Sequence, residues 1–440
     1  MSLTPPNTVQ KLQAALHAKA KGSPQYRFYG LYDTLSRPDV LVHAYACCKA
    51  NRGAAGVDGQ TFEDIEAYGL DRWLGELAEE LRTRRYRPQA VRRVYIPKAN
   101  GGQRPLGIPT VIDRVVQMAA VLVLGPIFET DLQPEQHAYR PTHSALDAVT
   151  HVQALVRSGH TQVVDADLSG YVDTMPHAEL LRSVARRVSD GAVLHLVKMW
   201  LTMPVEEADD RGRKHRSNRN KADGKGTPQG APISPLLSNL YMRRFVLGWK
   251  VLGHARRLKA HIVNYADDFV ICCDGTAEEA MHVMRTMMKQ LKLTVNEQKT
   301  RCCQVPEESF DFLGYTIGRM YSPRTGNAYL GVRPSKARVQ GVCQAISEMT
   351  STRWETTDLS DRVSQLNRLI IGWANYFSLG SVSKAYRAVD RHACQRLRQW
   401  LRRKHKVDGR GCSHFPDELL WSQGLVYLQG RPRSVPRANV

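Results

Sequence analysis

The sequence lacks the cysteine spacing that structural zinc sites use. Its nine cysteines include three adjacent pairs, Cys47-Cys48, Cys272-Cys273 and Cys302-Cys303, and none is followed by a second cysteine three positions on. The C-x-x-C spacing brings two thiolates to one tetrahedral metal. We therefore exclude a zinc site of this kind and expect reduced, mostly structural thiols.

Long hydrophobic runs are also absent. The longest apolar run, from Val115 to Phe128, is interrupted by Gln117, Gly125 and Pro126, and it is shorter than a bilayer-spanning helix requires. The N-terminus has no basic stretch followed by an apolar core, which is the pattern of a secretion signal. We expect a soluble, intracellular protein with no membrane partner.

Acidic residues are scarce relative to basic ones. The chain has 62 Lys and Arg against 42 Asp and Glu, a net charge of +20. Such an excess attracts polyanions, and nucleic acid is the main partner class that it indicates. A basic protein that is merely soluble is the alternative.

Strand and helix patterns indicate an α+β fold followed by a helical region. Strands are expected at 91–97, 104–108, 161–166, 260–265 and 269–272, and helices at 74–84, 176–188 and 277–291. Three further helical segments, about 335–350, 359–377 and 382–405, follow with no strand pattern between them. The fold of residues 406–440 is unreadable from the sequence.

Two adjacent carboxylates occupy the tip of an expected β-hairpin. Asp267 and Asp268 lie between the apolar runs 261–264 and 269–272. Carboxylates held together repel each other unless a cation shares them, and Mg²⁺ prefers carboxylate oxygen. A solvated Asp-Asp turn is the alternative.

A third carboxylate favours the metal site. Asp167 ends the expected strand 161–166, where a sheet presents ligands. With Asp267 and Asp268 it could hold two ions, which is polymerase chemistry. Asp165, on the same side of the strand, and Asp173, in the following turn, compete for this role.

An ordered set of motifs accompanies these aspartates. The set is Gly53-Ala-Ala-Gly-Val-Asp-Gly59, Ile96-Pro-Lys98, Arg104-Pro-Leu-Gly-Ile-Pro109, Ala138-Tyr-Arg-Pro141, Gly226-Thr-Pro-Gln-Gly230, Tyr265-Ala-Asp-Asp268, Asn296-Glu-Gln-Lys-Thr300, Phe310-Asp-Phe-Leu-Gly314 and Leu366 to Phe377. In this order, over roughly residues 28 to 430, the chain resembles the reverse transcriptases and maturases encoded by group II introns. The resemblance implies a right-hand polymerase with fingers, a palm with an antiparallel sheet, and a helical thumb.

The resemblance also implies domains, partners and a cofactor. The expected divisions are an N-terminal extension (1–75), fingers and palm (76–330), a thumb or maturase domain (331–405), and a basic tail (406–440) that is a candidate DNA-binding remnant. The implied partners are group II intron RNA or another RNA template, a DNA or RNA primer, dNTPs and target DNA, in the bacterial cytoplasm or on the nucleoid. The implied cofactor is two Mg²⁺ ions, with Mn²⁺ as an alternative.

Residue roles follow from the motifs that match. Asp167, Asp267 and Asp268 resemble the catalytic metal ligands, and Leu168 is assigned to the same metal site. The residues that resemble nucleotide-binding positions are Lys98, Arg104, Tyr171, Val172, Gln229 and Lys299. An exposed basic hairpin is the alternative for Lys98 and Arg104, and a solvent-exposed lysine at a helix end is the alternative for Lys299.

Basic residues also indicate nucleic-acid contacts outside the nucleotide pocket. The candidates are Arg140 in the fingers and Arg368, Arg396, Arg402 and Arg403 in the helical region, where phosphate groups of RNA would bind. The basic loop 211–225 is expected to contact the same polyanion or to be disordered without it.

Two departures from the family pattern concern the nucleotide pocket. Val172 stands where close relatives carry an aromatic residue that excludes a ribose 2′-hydroxyl, and Ala231-Pro232 stands where many relatives have a second glycine. Residues 406–440 lack the paired cysteines and clustered histidines of an HNH endonuclease. Two alternatives stay open: an RNA-binding maturase with a weakened polymerase site, and a domesticated enzyme of defence or repair.

Overall fold

Strands and helices are interspersed between residues 91 and 334, and within the described residues beyond 334 only helices follow. The structure, a computed structural model, describes residues 3–97, 102–209, 211, 213–322, 324–409 and 411–430. Its strands are β1 Val91–Pro97, β2 Gln103–Ile108, β3 Gln162–Ala166, β4 Val205–Ala208, β5 Lys214–Ser217, β6 Ala260–Tyr265, β7 Asp268–Cys273, β8 Arg301–Gln304, β9 Phe310–Phe312, β10 Tyr315–Tyr321 and β11 Ala328–Pro334. The fold class is α+β, as predicted.

The helices begin before the first strand and continue to the C-terminal region. They are α1 Asn7–Gly22, α2 Tyr32–Leu35, α3 Pro38–Ala50, α4 Phe62–Tyr68, α5 Leu70–Arg82, α6 Val111–Glu129, α7 Ala145–Arg157, α8 Tyr171–Thr174, α9 His177–Ala185, α10 Gly191–Leu201, α11 Arg219–Asp223, α12 Ser234–Val251, α13 His254–Arg257, α14 Ala277–Gln290, α15 Lys336–Met349, α16 Leu359–Tyr376, α17 Ser383–Lys404 and α18 Asp417–Ser422. Every helix predicted above is present, with ends that differ by a few residues.

The palm is a four-stranded antiparallel sheet in the order β6-β7-β3-β8. Val163 and Val164 on β3, and Val270 and Ile271 on β7, are fully buried. Both faces of the sheet are therefore covered, which explains why these strands appear as continuous apolar runs in the sequence.

The fingers sheet has the order β2-β1-β4-β5. The hairpin β1–β2 confirms the predicted strand pair, while β4 runs parallel to β1 and carries β5 on its outer edge. Of the two alternatives for the basic loop 211–225, disorder is wrong where the structure describes it, because β5 pairs with β4 and α11 follows. Contact with a polyanion stays a prediction.

Helix α6 forms the centre of the largest core. By length and composition alone it could cross a membrane, but 72% of its most apolar window is buried inside the protein. Its N-terminus is capped by Thr110, whose side chain accepts a hydrogen bond from the Asp113 N–H. This is the behaviour of a core helix.

A third sheet, in the order β11-β10-β9, lies between the palm and the thumb. The thumb core combines α15, α16 and α17 with the region after them, since Leu420, Leu425 and Leu428 are buried in the same cluster as Trp400. The prediction of a separate tail from residue 406 was therefore wrong for residues 411–430, whose leucines complete the thumb. Residues 431–440 lie outside the described part of the chain.

Candidate active site

The hairpin β6–β7 presents Asp267 and Asp268 at its tip. Tyr265 pairs with Asp268, which leaves a two-residue turn in which Ala266 has a φ of 57°. The fully buried Asn264 stabilises this turn, because its Nδ2 donates to the carbonyl oxygens of Ala266 at 2.9 Å and of Asp268 at 3.3 Å. The predicted hairpin is confirmed, and a buried amide fixes its tip.

Asp167 lies beside this tip at the end of β3. Ala166 is opposite Phe269 in the antiparallel register, so the next residue, Asp167, is adjacent to Asp268. The Asp167 carboxylate accepts hydrogen bonds from Asn296 Nδ2 at 2.9 Å and from Lys299 Nζ at 3.2 Å. The sheet therefore brings together the three aspartates that the sequence indicated.

The electrostatics of the three aspartates fit a divalent cation. Burial raises the pKa of Asp268 to about 6, and the negative charges of Asp267 and Asp167 add to this rise. A cation shared among them would relieve that repulsion. In the described ranges, however, no three His, Cys, Asp or Glu side chains form a ready-made metal cluster.

The two competing aspartates have other partners. Asp165 lies 3.7 Å from Arg301 on β8, and burial raises its pKa to about 6. Asp173 accepts a hydrogen bond from Gln229 Nε2 at 3.0 Å. Neither carboxylate lies beside the tip of the β6–β7 hairpin, whereas the carboxylate of Asp167 does.

A cleft of about 1020 Å³ between fingers and palm contains the three aspartates. The predicted residues that also line it are Arg104, Leu168, Tyr171, Val172, Gln229 and Lys299. Lys98 lies outside the described residues. The structure thus gathers the predicted nucleotide-binding positions that it describes around the aspartates.

Individual side chains in this cleft differ in accessibility. Arg104 is exposed on β2, Val172 is half-buried, and Leu168 is buried. Tyr171 is 2% exposed and donates from its hydroxyl to the Ser238 carbonyl at 2.7 Å. Tyr171 therefore supports the wall of the cleft from behind.

The Gln229-Gly230 turn touches the fingers strand β2. The Gly107 N–H donates to the Gln229 carbonyl at 2.6 Å. Gly230 has a φ of 104°, and a Cβ on it would lie 2.8 Å from the Gly107 oxygen. Only glycine suits this position, for backbone conformation and for space.

The sequence motifs contained two further cleft residues that received no role. Tyr139 is 62% exposed in the cleft and has a φ of 55°. Asn296 holds Asp167 directly. Both residues lie in motifs of the ordered set, and that position was the signal that could have identified them.

Arg140 is held by contacts within the protein, and its binding of nucleic acid stays a prediction that these contacts do not favour. Its guanidinium donates to Glu129 Oε1 from two nitrogens and to the carbonyls of Gln133 and Gln136. The side chain is 9% exposed. These contacts leave too little of the guanidinium accessible for a phosphate.

Two thumb arginines also make internal contacts, and their binding of nucleic acid stays a prediction. Arg396 donates to Thr350 Oγ1 and to the Ser347 carbonyl, and Arg403 donates to the Thr350 carbonyl and pairs with Glu355 at 3.0 Å. Both therefore join α17 to the end of α15.

The other two thumb arginines are placed differently. Arg402 is half-buried and donates to the Gly409 carbonyl at 2.5 Å. Arg368 is exposed on α16. Of the four predicted thumb positions, Arg368 is thus the most accessible to a nucleic acid.

Two family models match this chain in succession. The model of reverse transcriptase (RNA-dependent DNA polymerase) matches residues 96–317, and the model of the group II intron maturase-specific domain matches residues 339–413. The first match covers the fingers, the palm and the three aspartates, and the second covers most of the thumb.

Named relatives agree with these matches. Protein YkfC of Escherichia coli (strain K12) is 32% identical over 71% of this chain and 89% of that protein. The group II intron-encoded protein LtrA of Lactococcus lactis subsp. cremoris is 26% identical over 66% of this chain, which spans 57% of LtrA. Among solved structures, telomerase from Candida albicans in complex with a fragment of telomeric RNA has a TM-score of 0.42 at 12% identity, covering 82% of this chain and 70% of that one. From the family models and YkfC, this chain belongs to the reverse transcriptase family, in its group II intron-encoded reverse transcriptase and maturase branch.

Proposed function

We propose that this chain copies RNA into DNA by nucleotidyl transfer at the cleft between fingers and palm. The observation that carries the proposal is the register of β3 and β7, which places Asp167 next to Asp268 and Asp267. These three side chains, with the main chain of Leu168, would hold two Mg²⁺ ions, or Mn²⁺. The bound ions supply activation of the primer 3′-hydroxyl and neutralisation of the transferring phosphate.

Other cleft residues orient the nucleotide in this proposal. Arg104, exposed on β2, offers a guanidinium to the triphosphate. Gln229 and the backbone of Gly230 border the base and sugar, and the half-buried Val172 forms the wall near the 2′ position. Asn296 holds the Asp167 carboxylate in one orientation.

The net charge of +20 supports binding to intron RNA or another RNA template, to a primer and to target DNA. We place the protein in the bacterial cytoplasm, on nucleic acid. The match to the maturase-specific domain supports an additional role in splicing and mobility of intron RNA. A maturase with a weakened polymerase site is the second candidate, supported by the ion pair that Lys299 forms with the proposed metal ligand Asp167.

Primer extension on an RNA template tests the proposal. We expect dNTP-dependent extension by the wild type with Mg²⁺, and its loss in Asp267→Asn. Asp274→Asn is the matched control, because Asp274 is exposed just after β7 and pairs with Lys259 at 3.1 Å. A wild type that binds intron RNA but extends no primer would overturn the polymerase proposal and favour the maturase.

A further inference from the structure

A second cleft, of about 540 Å³, lies between the N-terminal segment and helices α9 and α12. We call it the arginine cleft, after the five arginines that line it: Arg27, Arg182, Arg186, Arg243 and Arg244. None of its lining residues lines the active-site cleft. It is therefore a separate concave surface.

The charges in the arginine cleft are only partly compensated. Glu179 is the acidic residue among those lining it, and it pairs with Lys292 at 2.7 Å and more loosely with Arg182 at 4.0 Å. Arg186 pairs with Asp131 at 2.5 Å. Burial lowers the pKa of Arg243, and the neighbouring charge of Arg186 lowers it further. Asp131 already offsets the charges of Arg186 and Arg243. The guanidinium groups left for an external anion are therefore those of Arg27, Arg182 and Arg244.

Arg244 supplies a second indication of a missing anion. Its guanidinium stacks over the Tyr241 ring at 5.4 Å. Its Nη1 is buried and, within the described residues, has no hydrogen-bond partner. A buried donor without an acceptor is unfavourable. Because Arg244 lines the cleft, a rotation of its side chain that brings Nη1 to the cleft surface would let a phosphate oxygen accept from it.

An exposed aromatic side chain, Tyr29, follows the cleft residue Arg27 by two positions, and its ring lies 6.4 Å from that of Tyr26. Tyr29 is 72% exposed. The preceding residue, the buried Phe28, is held in extended backbone, because its N–H donates to the Arg187 carbonyl at 2.7 Å and its carbonyl accepts from the Ser189 N–H at 2.8 Å. Side chains alternate along extended backbone, so Arg27 and Tyr29 share the outer face. Tyr29 thus offers an exposed aromatic ring on a segment that the hydrogen bonds of Phe28 hold in place, on the same face as Arg27.

We propose that Tyr29 and the arginine cleft form an accessory site for an unpaired nucleic-acid strand. A base stacks on the Tyr29 ring, and the adjoining phosphates bind the guanidinium groups of Arg27, Arg182 and Arg244. Stacked aromatics beside a positively charged groove are how single strands are bound without base pairing. An RNA and a DNA strand both offer this chemistry, and the experiment distinguishes them.

The test measures binding of fluorescent oligo(rU) and oligo(dT) to the full chain, by anisotropy at several salt concentrations. The active-site cleft is first filled with an unlabelled template and a chain-terminated primer. We expect Tyr29→Ala to weaken binding at least about fivefold, since one stacked base contributes that much or more. Arg182→Ala should reduce the salt slope by about 0.7 for one lost phosphate contact.

The chain offers a matched control in Tyr68 and Arg72. Tyr68 is 47% exposed, and the Arg72 guanidinium lies 4.7 Å from its ring, but Arg72 already pairs with Glu76. Tyr68→Ala and Arg72→Ala should leave oligonucleotide binding unchanged. Equal losses in the test and control pairs, or no loss in Tyr29→Ala and Arg182→Ala, would overturn the accessory site.

The outcome does not depend on polymerase activity. If the wild type extends no primer but Tyr29→Ala loses oligonucleotide binding, the accessory site stands and the polymerase proposal fails. Tighter binding of oligo(rU) than of oligo(dT) assigns the site to RNA, and the reverse assigns it to DNA. Equal affinities mean that the site binds the phosphates and bases only, and so accepts an RNA or a DNA strand.

Discussion

The ammonium of Lys299 lies 3.2 Å from Asp167 Oδ2, so a residue predicted to contact the nucleotide touches a proposed metal ligand instead. The Lys299 side chain is 63% exposed, and the pair is open to solvent. In the absence of metal, the lysine neutralises one of the three clustered carboxylates. We therefore expect it to compete with a cation for Asp167.

Lys299→Ala should lower the Mg²⁺ concentration that gives half-maximal primer extension. The expected change is up to about fivefold, because an exposed ion pair contributes at most about 1 kcal/mol. A Mg²⁺ titration of extension measures it. Lys259→Ala, which removes an exposed pair with Asp274, is the control. An unchanged or higher Mg²⁺ requirement in Lys299→Ala would contradict competition.

Val172→Phe should increase selection for dNTP over rNTP. Val172 lines the cleft, and its carbonyl accepts from the Thr227 N–H at 2.8 Å, which fixes the backbone that carries it. An aromatic ring there would exclude a 2′-hydroxyl by at least about tenfold. Single-turnover incorporation of both substrates is the measurement, and Val172→Ile, which adds bulk without a ring, is the control. Equal selectivity in wild type and Val172→Phe would refute the prediction.

Gly230→Ala should push the Gln229-Gly230 turn away from the fingers strand β2. The new Cβ would meet the Gly107 oxygen at 2.8 Å and Leu106 Cδ1 at 2.9 Å. Gly224→Ala is the control, since Gly224 also has a positive φ, 62°, but a Cβ added there would have no atom within 4 Å. We expect a loss of about 1 kcal/mol of unfolding free energy in Gly224→Ala and at least about 2 in Gly230→Ala, with reduced extension in the latter only. Equal losses of unfolding free energy and of extension in the two variants would mean that the contact of Gly230 with β2 is unimportant.

Arg396→Ala should mainly lower the unfolding free energy, and Arg368→Ala should mainly weaken RNA binding. Arg396 joins α17 to α15, so its loss should lower the unfolding free energy by about 1 to 3 kcal/mol and leave RNA affinity nearly unchanged. The exposed Arg368 should show the reverse, with weaker RNA binding and a salt slope reduced by about one. Denaturant unfolding and filter binding of the same two variants decide between these roles.

His137 should make the protein less stable in acid. Burial, and the charges of His151 and His143, lower its pKa to about 4. Because this value lies below that of an unfolded histidine, about 6.5, the unfolded chain binds the extra proton. Stability is then complete above pH about 6.5 and declines as the pH falls toward about 4.

His137→Gln should remove about 1 to 2 kcal/mol of this decline, a range that allows for solvent screening. Denaturant unfolding at neutral and acidic pH measures it. His282→Gln, at an exposed position on α14, is the control. The same acid sensitivity in wild type and His137→Gln would exclude His137 as the source.

The parts of this molecule that the sequence predicted depend on short-range patterns. The strands around Asp167 and Asp268 appear as apolar runs that end at a carboxylate, and the thumb helices appear as apolar residues at helical spacing. The cleft that holds the three aspartates could be predicted because its motifs are local. A signal carried by ten or fewer residues can be read without knowing the fold.

The parts that were missed depend on distant contacts. Arg403 donates to the carbonyl of Thr350, which is 53 residues earlier in the chain, and Arg396 donates to the carbonyl of Ser347, which is 49 residues earlier. A basic residue looks the same in the sequence whether it binds RNA or another helix. Leu420 and Leu428 likewise gave no periodic pattern, because their burial depends on the surface of α17.

The dependence of the thumb core on Leu420, Leu425 and Leu428 also bears on how the chain folds during synthesis. Domains fold in the order in which they leave the ribosome. The fingers and palm are fully synthesised by about residue 334, whereas the thumb cannot close its core until residue 428 has emerged. Over that interval of nearly one hundred residues, the strands that carry the three aspartates have all been synthesised, while the thumb core is still incomplete.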